Sequence, residues 1–286
     1  MKKIAMNKIL GTFLCCSILA LTTACGSGQE AGEAGEAQIN TARSEVAETK
    51  EIDDSQDTLD VTIKGDVKIT LNRIKAGSFD MGTPEGLGGE DELPVHKVKI
   101  SQDFFMGIYE VTQEQWEAVM GSNPSTFKGD KLPVETVSWG DCLEFCQKLS
   151  EMTGYEVGLP TEAQWEYACR AGSSTKWFFG DKEKDYGKYA CDDTSKKTQE
   201  VGKYEPNKNG LYDMYGNVME WCLDYYSEEY DKKDNEDPLG AELGESRVNR
   251  GGGWGASPDD CRSGYRNAAG ESDATDGIGF RVIINS

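Results

Sequence analysis

Three segments show the pattern of a short amphipathic helix with both ends marked. Each opens at a serine or threonine cap and closes at a glycine, as capped helices do. Gln115 and Gln164 stand three residues after their caps and can bond back to them, which completes a capping box. The predicted helices are "TQEQWEAVM" from Thr112 to Gly121, "SWGDCLEFCQKLSEM" from Ser138 to Gly154, and "TEAQWEYACRA" from Thr161 to Gly172. We expect their buried faces to carry Trp116, Leu143, Leu149, Trp165 and Ala168.

Alternating apolar residues predict short strands at "VKITLNRI", "HKVKI" and "GFRVII", with long stretches between them that follow no period. This combination indicates an α+β domain rich in irregular structure. His96 shares one face of its strand with Val98 and Ile100, so we interpret it as a buried, hydrogen-bonded structural histidine. It is the single histidine of the chain, which excludes any site that needs two imidazoles.

The first residues have the pattern of a secretory signal. Three lysines precede the apolar stretch 9–21, which is too short for a comfortable membrane span. Small residues come just before Cys25 in "LTTACGSG", as in the cleavage box of bacterial lipoproteins. We therefore expect a signal peptide at 1–24, a lipid on Cys25, and an extracytoplasmic protein anchored to the bacterial cell membrane. The alternative is an ordinary signal cut near Ala24 that leaves Cys25 as a free thiol.

Residues 25–66 are acidic and small and contain almost no large apolar side chains, so we predict a disordered tether there and one domain at 67–286. The chain has 30 basic and 51 acidic residues, a net charge of −21. That balance argues against nucleic acid, since phosphate binding needs a basic surface. It favours a cation, or partners that are basic or neutral.

Six cysteines remain in the domain after the signal and the lipidation site are set aside. An even number outside the cytoplasm permits disulfides, but the fifteen possible pairings stay open. A bond between the first two is not expected, because residues four apart on a helix have poorly placed side chains for it. The six are Cys142, Cys146, Cys169, Cys191, Cys222 and Cys261.

Nine motifs occur in a fixed order over the whole domain, and together they resemble the sulfatase-modifying-factor family, that of the formylglycine-generating enzymes. The resemblance implies a C-type-lectin-like fold with little regular secondary structure, structural calcium, and, in the active enzymes, copper that serves to oxidise a sulfatase cysteine with oxygen. The motifs are "GSFDMG", "ELPVHKV", "YEVTQEQW", "LPVETVSW", "LPTEAQWEYACRAG", "NGLYDMYGNVMEWC", "RVNRGGGW", "CRSGYR" and "GFRV".

The resemblance places the two copper-binding cysteines of the active enzymes at Ala256 and Cys261, and their serine at Gly253. Since Cu(I) prefers two sulfur ligands, we expect no copper here. Cys261 is the single catalytic candidate; an alignment anchored on "RSGYR" makes it structural instead. The family also places Cys222 beside it, either bonded or close.

In "DMYGNVME" the resemblance implies a calcium site. Its ligands would be the side chains of Asp213 and Glu220 and the carbonyls of Gly216 and Val218, an oxygen set that suits a hard cation. The second calcium loop of the family is not recognisable around Cys191.

Three functions follow from these observations. The first is a divergent binding or accessory module on a lipoprotein, with a protein or small ligand as partner. The second is an oxidoreductase that acts on a sulfatase through an atypical site. The third is a ligand-display protein that varies "GASPDD" and "AAGESDATDG", two small, polar segments.

Replacing Cys25 with Ser removes the predicted lipid attachment point. We expect the variant to leave the membrane fraction, which fractionation and immunoblotting would measure against the unmodified chain. Equal membrane retention of the two proteins would contradict lipidation.

Overall fold

The structure, a computed structural model, describes residues 50, 52–53, 55–191 and 195–285. The predicted signal peptide, and Cys25 with it, lie outside the described residues. Within these ranges, no helix has the length and apolar character needed to cross a membrane.

Eleven short strands and three helices make up the described part of the chain. The helices are α1 (Gln113–Met120), α2 (Trp139–Thr153) and α3 (Glu162–Arg170). The strands are β1 (Thr58–Lys64), β2 (Val67–Ile74), β3 (Gly77–Met81), β4 (His96–Ile100), β5 (Phe104–Gly107), β6 (Val157–Gly158), β7 (Met219–Tyr225), β8 (Ser246–Arg250), β9 (Asn267–Gly270), β10 (Ile278–Gly279) and β11 (Ile283–Asn285).

The strands form two sheets and a hairpin. One sheet has the order β1-β2-β5-β11-β6, the other β10-β7-β8-β9, and β3 pairs with β4. A hydrophobic cluster packs α1 and α2 on the five-stranded sheet; in it Trp116 stacks on Phe145 at 5.4 Å between ring centroids. A second cluster surrounds the buried Trp165 of α3 and extends to the four-stranded sheet. The core is therefore aromatic and divided in two.

The predicted helices are confirmed, and their ends show why. The side chain of each capping threonine or serine accepts a hydrogen bond from the main-chain N–H three residues on. The side chain of that third residue accepts one from the main-chain N–H of the cap. Gly121 and Gly154 end α1 and α2 in the left-handed conformation. In α3 that role falls to Ala171, with φ of 46°, one residue before the predicted Gly172. On α2 the inward face holds Cys142, Phe145, Cys146 and Leu149, whereas Leu143 is half-buried.

Two strand predictions are confirmed and one is wrong. "VKITLNRI" is β2 and "HKVKI" is β4. The run "GFRVII" is divided between β10, in the four-stranded sheet, and β11, in the five-stranded one. Between them the chain passes from one sheet to the other, with Phe280 O accepting from Val111 N at 2.9 Å and Val282 O from Gly107 N at 2.9 Å. The apolar residues of "GFRVII" are continuous because this segment is buried on all sides, and not because it forms a single strand.

The predicted tether, residues 25–66, is too long at its C-terminal end. Residues 58–64 form β1, because Leu59 and Val61 are buried against the core while Asp60 and Thr62 face solvent. The ordered contacts begin even earlier, since Lys50 N donates to Gly154 O at 2.8 Å. A segment with few apolar residues can form a strand here because those residues alternate with polar ones and lie on one face.

All six domain cysteines are buried thiols, and no disulfide joins them. Cys222 and Cys261, expected to be bonded or close, belong to the same hydrophobic cluster without a bond between them. Burial raises the pKa of Cys146 to about 12, so its thiol is protonated and unreactive at neutral pH.

Leu59→Ala tests whether β1 belongs to the domain. Removing a buried leucine side chain should lower the free energy of unfolding by about 2 to 5 kcal/mol. Thr62→Ala, on the exposed face of the same strand, should change it by less than about 0.5 kcal/mol. Urea denaturation of both variants makes the comparison; equally small effects would mean that β1 adds nothing to the fold.

Candidate functional site

The turn "GGGWG" lies between β8 and a 3-10 helix at Pro258–Cys261, and it forms one wall of a cleft of about 320 Å³, which we call the glycine-turn cleft. Its other walls come from β7, β9 and the end of the loop before β10. The lining residues are Met219, Gly252, Gly253, Trp254, Gly255, Ala256, Asp260, Tyr265, Asn267 and Gly277. The cleft therefore has apolar and main-chain walls, with Asp260 and Asn267 as polar side chains.

Glycine is required where this turn leaves β8. Gly251 and Gly252 have φ of 94° and 73°, a region that side chains disfavour. A Cβ on Gly252 would overlap Cys261 Sγ and lie 3.3 Å from Ala256 Cβ. Ala256 and Cys261, the positions that the motif resemblance assigns to copper cysteines, thus both adjoin Gly252.

The wall formed by Trp254 is held by hydrogen bonds. Its main-chain N donates to Asn217 O at 2.8 Å, and its Nε1 donates to Asp276 O at 3.0 Å. The ring packs edge-on against Phe127 with 5.7 Å between centroids. Trp254 is half-buried, so its ring is ordered and still exposed in part to a ligand.

The thiol at this site lies behind the turn. Cys261 is fully buried, and burial raises the pKa of its thiol to about 12. Ala256 lines the cleft with a methyl group and Gly253 with none. The cleft therefore offers the Met219 thioether on its wall and one thiol, Cys261, protonated and buried, where copper chemistry needs two thiolates.

The predicted calcium residues lie next to each other, in a cluster of buried carboxylates around one arginine. Arg281 Nε and Nη2 donate to the two Glu220 oxygens at 2.6 Å each, and Trp165 Nε1 donates to Glu220 Oε2 at 2.7 Å. Asp213 Oδ2 accepts from Gly202 N at 2.6 Å. Glu110, which the sequence analysis missed as a site residue, accepts from Asn217 Nδ2 at 2.7 Å.

This cluster carries more negative charge than Arg281 can balance. Burial, together with the charges of Asp213 and Glu220, raises the pKa of Glu110 well above its usual range. Burial raises the pKa of Asp213 to about 6. Three carboxylates face one guanidinium, so their interior environment favours protons or a further cation.

Two of these carboxylate oxygens still have lone pairs that could bind a calcium ion. Glu220 Oε1 receives one hydrogen bond, so a lone pair remains free, and Asp213 Oδ1 receives none from a side chain or amide in the described residues. In the same part of the chain no three His, Cys, Asp or Glu side chains converge as a metal site. Calcium here would therefore depend on the carbonyls of Gly216 and Val218 as well.

His96 differs from its prediction in one respect. Its strand face is as predicted, with Val98 and Ile100 buried, but His96 is itself half-buried. The Nδ1 lies 2.9 Å from Pro94 O and donates to it, and the ring packs on Tyr230 at 5.1 Å between centroids. A position at the end of a hairpin exposes one side of the ring.

The same fold occurs in known structures. Treponema denticola variable protein 1 superposes with a TM-score of 0.74 and 30% identity, over 81% of this chain and all of that one. The protein is thus an α+β protein with the C-type-lectin-like fold of formylglycine-generating enzymes, as expected from the motifs.

The family model described as "Sulfatase-modifying factor enzyme 1-like domain" matches residues 66–286, and the chain belongs to that family. Chaperone protein LppX of Paenibacillus barcinonensis is 32% identical over 235 residues, which cover 63% of this chain and 80% of LppX. The formylglycine-generating enzyme of Streptomyces coelicolor is 32% identical over 185 residues, 58% of this chain and 57% of the enzyme. The chain spans 37% of the serine/threonine-protein kinase pkn1 of Chlamydia pneumoniae, another relative.

Proposed function

We propose that the protein is a binding or accessory module, not a copper oxidase, and that its ligand enters the glycine-turn cleft. One observation carries this proposal: Ala256, at the position where the family resemblance implies a copper cysteine, lines the cleft wall with a methyl group, while Cys261 is buried behind the turn. The cleft keeps the shape for a ligand and lacks the nucleophilic sulfur. Its partner would be a protein or a small molecule.

The two display segments support a binding role. Gly255, Ala256 and Asp260 of "GASPDD" and Gly277 of "AAGESDATDG" line the same cleft. Substitutions in either segment would therefore change one binding surface. A ligand-display function is the second candidate, and the similar Treponema protein is itself named a variable protein.

An accessory role agrees with the name of LppX, a chaperone. We place the module outside the cytoplasm on a lipid at Cys25, which rests on the leader sequence. Tethered there, it would meet exported partners. A sulfatase as substrate belongs to the rival proposal of an atypical oxidoreductase, in which Cys261 would have to become exposed and ionised.

We also propose one structural calcium, held by Asp213, Glu220 and the carbonyls of Gly216 and Val218. The charge excess around Arg281 supports it, since a divalent cation would neutralise the unpaired carboxylates. The ion would fix the turn that precedes β7. It would not take part in chemistry.

Calcium should raise the melting temperature of metal-stripped protein, because a ligand that binds the native state alone stabilises it by about 2.7 kcal/mol at a hundredfold excess over its Kd. Asp213→Asn, which can still accept the Gly202 amide, should abolish the shift. Asp130→Asn, an exposed change of equal charge, should leave it intact. A melting temperature indifferent to calcium and chelator would rule out the site.

The purified domain, given Cu(I), oxygen and a sulfatase-type cysteine peptide, should yield no formylglycine by mass spectrometry, because one buried thiol cannot form a two-thiolate site. Product formation by the unmodified protein would overturn the binding proposal in favour of the oxidoreductase.

Gly253→Ser with Ala256→Cys should restore tight Cu(I) binding, measured by competition with a chromogenic chelator. A Cβ at Gly253 would lie 3.2 Å from Gly277 O, so the serine needs a shift of a few tenths of an ångström there, and Ala256 and Cys261 both adjoin Gly252. Gly253→Ser with Ala256→Ser is the matched control and should not bind. Failure of the cysteine variant would favour a purely structural Cys261.

A further inference from the structure

A second cleft, separate from the glycine-turn cleft, lies where α3 begins and β7 ends. Its volume is about 400 Å³, and we call it the acidic cleft. Four exposed carboxylates stand at its rim, and apolar groups form part of its walls. The rim residues are Glu229, Asp231, Asp234 and Glu242; the apolar wall residues are Met81, Ala163, Pro238 and Ala241.

The one arginine that lines the cleft is already committed. Arg266 Nε and Nη2 donate to the two oxygens of Glu162 at 2.7 and 2.9 Å. Its Nη1 donates to Asp91 O at 2.7 Å and to Ser227 O at 2.8 Å. Arg250 Nη1 also donates to Glu162 Oε1, at 3.1 Å. Arg266 and Glu162 thus satisfy each other and leave the other carboxylates of the cleft without a cation.

Asp224 is an independent indication of a ligand. Its side chain lines the cleft and is only 3% exposed. One oxygen, Oδ2, accepts from the Glu162 amide at 2.7 Å, and no other described residue donates to Oδ1. No cation pairs with it among the described ion pairs. Arg266 attracts the Asp224 carboxylate but is hydrogen-bonded to Glu162, so burial still favours a proton on Asp224 or a further cation beside it.

The electrostatics agree with that geometry. Burial, and then the charge of Glu162, raises the pKa of Asp224 to about 8. The unpaired carboxylate therefore holds a proton at neutral pH until a cation displaces it.

We infer that the acidic cleft binds an alkylammonium group, such as a lysine side chain of a partner or a free polyamine. The ammonium would donate to Asp224 Oδ1 at the base, where one acceptor is available, and the methylene chain would lie along the apolar wall. The rim carboxylates attract the approaching cation. An ammonium is compact and turns its three donors freely, which suits a single unmatched oxygen better than a planar guanidinium.

Titration calorimetry tests the inference with acetyl-Gly-Lys-Gly-amide on the whole domain, compared with the norleucine peptide that lacks the ammonium. We expect the lysine peptide to bind and the norleucine peptide not to bind. Spermidine, in a third arm, distinguishes the sources: tighter binding of spermidine assigns a free polyamine, and tighter binding of the peptide assigns a protein partner.

Asp224→Asn should weaken binding at least roughly tenfold, since it removes the charge and leaves an acceptor for the Glu162 amide. Glu229→Gln with Glu242→Gln should weaken it roughly threefold, an effect that salt reduces because both residues are exposed. Glu114→Gln with Glu117→Gln makes the same change of charge on α1 and should have no effect. If Asp224→Asn does not fold, the comparison of the Glu229→Gln, Glu242→Gln variant with the α1 variant tests the inference instead.

Equal binding of the lysine and norleucine peptides would overturn the inference. So would equal losses in the rim and α1 variants, which would indicate attraction to the overall negative charge. If calcium chloride bound saturably and displaced the peptide, the cleft would be a metal site instead. These outcomes leave the proposal for the glycine-turn cleft unaffected, because no residue lines both clefts.

Discussion

The ion pair between Glu220 and Arg281 joins the two sheets of the domain. Glu220 belongs to β7, in the four-stranded sheet, and Arg281 lies between β10 and β11, where the chain passes to the five-stranded sheet. Both side chains are almost fully buried, and Arg281 also donates to Gly107 O at 3.0 Å, in β5. Breaking a buried pair costs about 3 to 5 kcal/mol, because it leaves an unpaired charge inside. The sheets, and everything placed by them, depend on this contact.

Buried charges elsewhere follow the same rule. Arg250, directly before the glycine turn, donates to Glu166 Oε2 at 2.5 Å and to Ser263 O at 2.8 Å, which fixes the turn relative to α3. Irregular structure can be rigid in this way: long loops are held by arginines rather than by strand pairing. The carboxylates of Asp213 and Asp224 differ, because each is buried near an arginine that is hydrogen-bonded to another carboxylate, and burial raises the pKa of both.

The glycine-turn cleft illustrates how packing maintains a turn of the family scaffold. The turn needs glycine at 252 to make room for the Cys261 side chain, whatever the reactivity of that thiol. Packing constraints therefore maintain the cleft wall that Ala256 lines. A surface of this kind is available for binding, and its two polar segments can vary at little cost to the core.

The sequence by itself determined the three helices, since caps such as Thr161 with Gln164 are local and act within one turn. It also determined the family, through motifs in fixed order. Only the tertiary structure decided that "GFRVII" serves two sheets, that Leu59 and Val61 make a strand of the supposed tether, and that Glu220 pairs with Arg281. It alone brought Asp224 to the base of a cleft with residues from distant loops. The physical reason is range: caps and turns depend on neighbours in sequence, whereas burial and charge pairing depend on neighbours in space.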